Sequence, residues 1–130
     1  MTVIVAAAVV RERPGAPVLL TRRREGSHLA GMWEFPGGKV EAGEDPERAV
    51  VRECLEEIAV SLEVVDILEV AWHRYREKDV LLLFYDCRMV SGEVQDLEVA
   101  EHAWVPVDRL TDYPLPPPDA RLVDKLRAGR

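Results

Sequence analysis

Cysteine is scarce in this 130-residue chain, limited to Cys54 and Cys87. Neither belongs to a CxxC pair, so a disulfide framework or a cysteine-built zinc site cannot organise the fold, and a reducing, cytoplasmic setting is expected. Histidine is almost as sparse, and His28, His73 and His102 lack the spacing of a ligand set. Long apolar runs are missing as well. The opening MTVIVAAAVV has no basic start and breaks at Arg11-Glu12-Arg13, and nothing approaches the about 20 apolar residues of a membrane span. Neither a signal peptide nor a membrane partner is therefore expected. An excess of positive charge is the last absence: 17 Lys and Arg face 24 Asp and Glu, for a net charge of −7. That balance argues against a protein that binds a nucleic-acid polymer, which would want a basic stripe. With no repeat or low-complexity linker, residues 1–130 read as one domain, and 48% hydrophobic content suffices for a core without staples.

The patterns that are present alternate between strand and helix. Val3–Val10 is a continuous run of small and β-branched apolar residues, as in a buried strand. Arg13-Pro14-Gly15 forms a turn, and residues 17–23 return as a second strand, so the two are expected to pair as a hairpin. Residues 32–39 suggest a short strand anchored by aromatics and Pro36. Asp45 as N-cap and Pro46 at the first helical position start a helix, whose core stripe is Val50, Cys54 and Ile58, widened by Val51 and Leu55. Residues 62–72 and 80–90 read as a second hairpin, the latter central. A short strand at 103–107, one helical turn near 108–111, a proline-stiffened bend and a C-terminal helix from Ala120, capped by Asp119, complete the chain. The order predicts an α/β (α+β) fold, a mixed sheet between helices.

The first helix carries Glu53, Glu56 and Glu57 at i, i+3 and i+4, on one face. Arg52 is the one base nearby. Carboxylates brought to roughly 4 Å repel by about 4 kcal/mol each pair at an effective dielectric of 20. Either a proton or a cation must relieve them. Hard oxygen donors favour Mg²⁺, with Mn²⁺ possible, and such ions engage phosphate oxygens. Water deprotonated with help from a glutamate could then attack phosphorus, while Lys39 and Arg23 neutralise phosphate charge.

Loop and helix together run Gly38, five residues, Glu44, seven residues, then Arg52-Glu53-Cys54-Leu55-Glu56-Glu57-Ile58-Ala59-Val60. This resembles the signature of the Nudix hydrolases, G-x5-E-x7-R-E-U-x-E-E-x-G-U with U apolar. The departure is Ala59, which stands where the family has glycine. Alanine fits there if the backbone avoids positive φ. The resemblance implies a mixed sheet between helices. It also implies a metal site of Gly38 (through its carbonyl), Glu53, Glu56 and Glu57, with Glu53 as a candidate base, Arg52 holding a glutamate in register, and Glu44 supporting the loop. Silent members lose these glutamates; here they are kept, which favours an enzyme over a nucleotide-binding module without turnover.

The likeness extends through Leu20-Thr21-Arg22-Arg23 and Glu34-Phe35-Pro36-Gly37-Gly38-Lys39 to the tail Tyr113–Asp119, and is closest to the MutT and CTP pyrophosphohydrolase-like branch. That branch implies a further metal ligand at Glu98 and a base-reading contact from Asp119, while by residue type Arg23 and Lys39 are expected on phosphate and Phe35 is the aromatic expected to stack on the base. His28 is the histidine expected to meet substrate. The implied reaction is Mg²⁺-dependent hydrolysis of a nucleoside triphosphate, such as 8-oxo-dGTP, to monophosphate and pyrophosphate. CTP and 5-methyl-dCTP are the alternative, since an ionised Asp119 accepts hydrogen bonds from guanine or from cytosine's amine. Either a monomer or a homodimer is compatible with the chain.

Overall fold

The computed structural model covers Met1–Arg130. In chain order it contains β1 (Thr2–Val10), β2 (Val18–Arg22), β3 (Trp33–Glu34), β4 (Gly37–Lys39), α1 (Pro46–Ile58), β5 (Ser61–Arg74), β6 (Asp79–Ser91) and β7 (Glu101–Val105). Two 3-10 turns, Val107–Asp112 and Pro117–Asp119, lead to α2 (Ala120–Arg127). The larger sheet has the order β4-β1-β6-β5, the smaller β3-β2-β7. β1 and β6 run parallel at the centre, and the remaining pairs are antiparallel. The fold is α+β, with helices on opposite faces of a mixed sheet.

The apolar run of β1 is continuous because both of its faces are buried. Side chains alternate across a strand, so Ala6, Ala8 and Val10 join a cluster with Ala49, Val50, Cys54 and Ile58 of α1. Ala7 and Val9 join a second cluster with Leu110 and with Leu122, Val123 and Leu126 of α2. Each fully buried leucine of α2 contributes about 1.5–3 kcal/mol of transfer free energy. Asp45 caps α1 as expected, its carboxylate accepting the Glu47 N–H at 2.8 Å. No helix is long and apolar enough to cross a membrane.

Five expectations are corrected. β1 and β2 are not a hairpin: β1 pairs with β4 and β6, whereas β2 lies in the other sheet with β3 and β7. The single strand expected over residues 32–39 is split between the two sheets at Phe35-Pro36. Pro36 has no N–H to continue a ladder, but its carbonyl accepts the Ala8 N–H at 2.7 Å. Val51 and Leu55 do not widen the buried stripe of α1, since Val51 is half-buried and Leu55 is 53% exposed. Ala59 does not avoid positive φ. It adopts the left-handed conformation (φ 61°, ψ 29°) at the end of α1, with its N–H returning to the Leu55 carbonyl. Asp119 precedes α2 but its side chain makes no capping hydrogen bond. The mixed alternation of β5 has a local cause, register shifts at Ser61/Leu62, Val64/Asp66 and Ile67/Glu69.

Candidate active site

Gly37 and Gly38 let the start of β4 press against two neighbours at once. At Gly37 (φ 156°) a Cβ would lie 2.1 Å from the Ala6 carbonyl oxygen. At Gly38 a Cβ would lie 2.4–2.8 Å from the carboxyl atoms of Glu53. The Glu53 carboxylate therefore rests directly on the Gly38 backbone. One turn on, Glu57 projects beside it into a cleft of about 320 Å³, within the range of a small-molecule pocket. The segment bearing Glu98 is tied to the same helix end. Its Leu97 and Glu98 N–H groups both donate to the Glu57 carbonyl at 3.1 Å, and the Gln95 N–H donates to that of Ile58.

The carboxylates at this end feel one another. Burial, then Glu34, Glu53 and Glu98, push the Glu57 carboxyl up to about 8, against a hydrogen bond from the Gly37 backbone. Arg52 lies behind them. Its guanidinium donates to Glu44 at 2.7 and 3.0 Å, to Glu53 at 3.1 Å, to Glu56 at 3.3 Å and to the Lys39 carbonyl at 3.2 Å. The hydrogen bond from Arg52 is the main reason that the Glu44 carboxyl is held down to about 2. Arg52 is thus a positioning residue, and Glu44 is its counter-ion. All donors near Gly38 are hard oxygens, and Glu57 is unfavourably charged without a cation, so this end fits a divalent metal. The carboxylates approach without closing, since no three of them stand around a common point.

Two further carboxylates line the same cleft. Glu34 and Asp119 both line it, with Arg23 hydrogen-bonded to Glu34 at 2.8 Å. Asp119 is 4% exposed; burial first, and then Glu34, push its carboxyl up to about 7. Burial likewise raises Glu34, outweighing the opposing effect of Arg23. Pro116 and Pro118 form the wall next to Asp119, and His28, Tyr75, Lys39 and Lys78 stand around the same cavity. His28 meets Tyr75 edge-on, with ring centroids 5.7 Å apart.

Most of the expected residues are brought together: Gly38, Glu57 and Glu98 with Arg23, Phe35, Lys39 and Asp119 line one cavity, and Glu53 touches Gly38. Glu56 differs. Its side chain is 51% exposed, it is bound by Arg52 and it is not among the residues lining the cleft, because its position turns it toward the residue four before it. Phe35 is 3% exposed and packs edge-on to Phe84 in the core, which makes it cleft floor with little face free for stacking. Arg23 reaches the cleft already engaged by Glu34. Glu34 itself was not anticipated. Its one sequence signal is a charge set between two aromatics, Trp33 and Phe35.

A NUDIX domain model matches residues 1–126. The chain belongs to the Nudix hydrolases. It is 38% identical over 122 residues to the 8-oxo-dGTP diphosphatase of Haemophilus influenzae, covering 94% of this chain and 89% of that one. It is also 35% identical over 133 residues to the CTP pyrophosphohydrolase of Escherichia coli, covering 100% and 96%. The crystal structure of a MutT protein from Methanosarcina mazei superposes with a TM-score of 0.86 at 28% identity, over 98% of this chain and 94% of that one. As a Nudix hydrolase of MutT type, the chain is an enzyme, and the cleft between α1 and the proline-rich tail is its candidate active site.

Proposed function

We propose that this Nudix hydrolase cleaves nucleoside triphosphates with a divalent metal, Mg²⁺ or Mn²⁺, giving a nucleoside monophosphate and pyrophosphate, and that oxidised purine nucleotides such as 8-oxo-dGTP are its substrates. One observation carries the reading: a single cavity is lined both by Gly38, Glu57 and Glu98 and by Asp119. The first group suits a polyphosphate, and Asp119 suits a base edge rich in N–H donors.

Glu53, Glu57, Glu98 and the Gly38 carbonyl would hold the metal, which would supply Lewis-acid neutralisation of charge on the phosphate oxygens; Glu56, turned out to Arg52, would join them only on leaving that partner. The chain's own residues do the rest. A glutamate of this set, Glu53 by the family resemblance, takes the proton of the attacking water. The water oxygen bonds to phosphorus as the anhydride bond between the α- and β-phosphates breaks, leaving a nucleoside monophosphate and pyrophosphate. Arg52 holds Glu53 in place, and Lys39 at the cleft meets phosphate charge. Partners are small nucleotides, and the setting is cytoplasmic.

Hydrolysis of CTP or 5-methyl-dCTP is the second reading, supported by the full-length similarity to a CTP pyrophosphohydrolase. Pyrophosphate release from 8-oxo-dGTP, dGTP, CTP and 5-methyl-dCTP, with Mg²⁺ and with EDTA, tests both. Preference for 8-oxo-dGTP that EDTA abolishes supports the proposal. Preference for the cytosine nucleotides transfers it to the second reading, and no metal-dependent turnover on any of them refutes both.

A further inference from the structure

Glu69 is a buried carboxylate on β5 that the reading above does not use. It sits at the register shift between Ile67 and Glu69, where Ile67 faces Tyr85 and Glu69 faces the adjacent residue Phe84. Leu68 is therefore the extra residue of a β-bulge, and a bulge leaves backbone groups without ladder partners. The Leu68 carbonyl is taken by α2 instead: Lys125 Nζ donates to it at 2.9 Å. The same ammonium lies 3.4 Å from Glu69 Oε2, and Arg121 Nε lies 3.6 Å from that oxygen. Glu69 Oε1 accepts the Val70 N–H at 2.9 Å, whereas Oε2 has no hydrogen bond and only these two cations.

The position of α2 matters because it begins immediately after Asp119. Asp119 belongs to the Pro117–Asp119 turn, which lies against β5 and is tied on its N-terminal side by the Asp119 N–H to the Pro116 carbonyl at 3.0 Å. Further back, the tail is pinned by the Trp33 N–H to the Pro114 carbonyl and by the edge-on contact of Trp33 with Tyr113. The proline side of the turn is thus anchored on β3. Its helical side is anchored on β5 by Lys125 and Arg121.

We propose that the Glu69–Lys125–Arg121 latch is a positioning device: by clamping α2 to the β5 bulge it sets where Asp119 stands in the cleft, and so sets base selectivity from outside the site. The inference rests on the proposed nucleotide reading for its functional half. Its structural half stands independently. A latch of this kind acts through a rigid element, and remote changes on such elements alter coupled sites by about 2- to 30-fold.

The test uses the full chain with Lys125→Met, Glu69→Gln and the conservative Lys125→Arg, read by amide exchange and by steady-state kinetics. Pro114, Pro116, Pro117 and Pro118 carry no amide proton, so Asp119 and Ala120 report the turn. Faster exchange at those two amides in Lys125→Met and Glu69→Gln, with α1 unchanged and with recovery in Lys125→Arg, is the expected result. The ratio of kcat/KM for 8-oxo-dGTP over dGTP should fall by about 3- to 10-fold, through KM more than kcat. Unchanged exchange at Asp119 and Ala120 overturns the latch. Altered exchange with an unchanged ratio overturns its role in selectivity. Altered exchange in a protein that turns over none of these nucleotides refutes the nucleotide reading and leaves the latch standing.

Discussion

Ala59→Gly is expected to stabilise the protein. Ala59 holds φ 61° and ψ 29° at the end of α1, a conformation that costs an L-residue with a Cβ roughly 1–2 kcal/mol. Glycine removes that cost but widens the unfolded ensemble, which offsets about 0.4–1 kcal/mol. The net gain is about 0.5–1 kcal/mol. With an unfolding entropy of roughly 2.1 cal/mol/K for each residue, a chain this long gains about 2–4 °C in Tm. Calorimetry or thermal circular dichroism measures it, with Ala59→Val as the opposite arm, where a β-branched side chain should lose stability. Activity should be unchanged in Ala59→Gly, because the Glu57 and Ile58 carbonyls that hold the Glu98 segment are untouched. A Tm that stays level or falls in Ala59→Gly would show that the left-handed turn carries no strain.

Glu57→Gln should abolish turnover without lowering Tm, since burial and neighbouring carboxylates already disfavour the charge and push its carboxyl up to about 8; retained turnover would remove Glu57 from the metal set. Asp119→Asn should stabilise the ligand-free protein at pH 8 but not at pH 3. The folded pKa of Asp119, about 7, lies above the unfolded value of 3.8, so its stabilising protonated form is fully present below the unfolded pKa and lost as pH rises through the folded one. The difference reaches about 4 kcal/mol at most, and parallel melts of both proteins across this pH range would read it as a widening gap in Tm. Asp119→Ala should shift base preference in the four-nucleotide panel more than it lowers the rate on the best substrate. Arg11→Met should cost about 1.5–3 kcal/mol in urea unfolding, because buried Arg11 donates to buried Asp86 at 2.9 Å while Arg88, at 2.6 Å, keeps that carboxylate paired, and kcat should not change.

The acidic end of the site was legible because it is local. Gly38, Glu44, Arg52, Glu53, Glu56 and Glu57 lie within one loop and one helix, and helical periodicity alone puts Glu53 and Glu57 one turn apart on adjoining positions. Periodicity could not say which glutamate enters the cleft. That Glu57 does so while Glu56 turns out to Arg52 depends on which side of α1 packs against β4 and β1. The hairpin expected from β1 and β2 failed for a related reason. Both strands have apolar patterns that suit either partner, and the parallel pairing of β1 with β6 brings together residues more than seventy positions apart.

Residue types and their local spacing are enough to settle the chemistry of the chain. They set an oxygen-rich, net-negative helix end behind a glycine pair, in a domain whose first strand must be buried on both faces. How those groups are used follows only from the packing around them. Burial beside Glu34 makes Asp119 a carboxyl of raised pKa instead of a helix cap, and the pairing of β2 with β3 commits Arg23 to Glu34 before any ligand arrives. Packing likewise holds Ala59 in a left-handed turn that its side chain disfavours. Desolvation, ion pairing and backbone strain all depend on neighbours distant in the chain, and those neighbours exist only once it has folded.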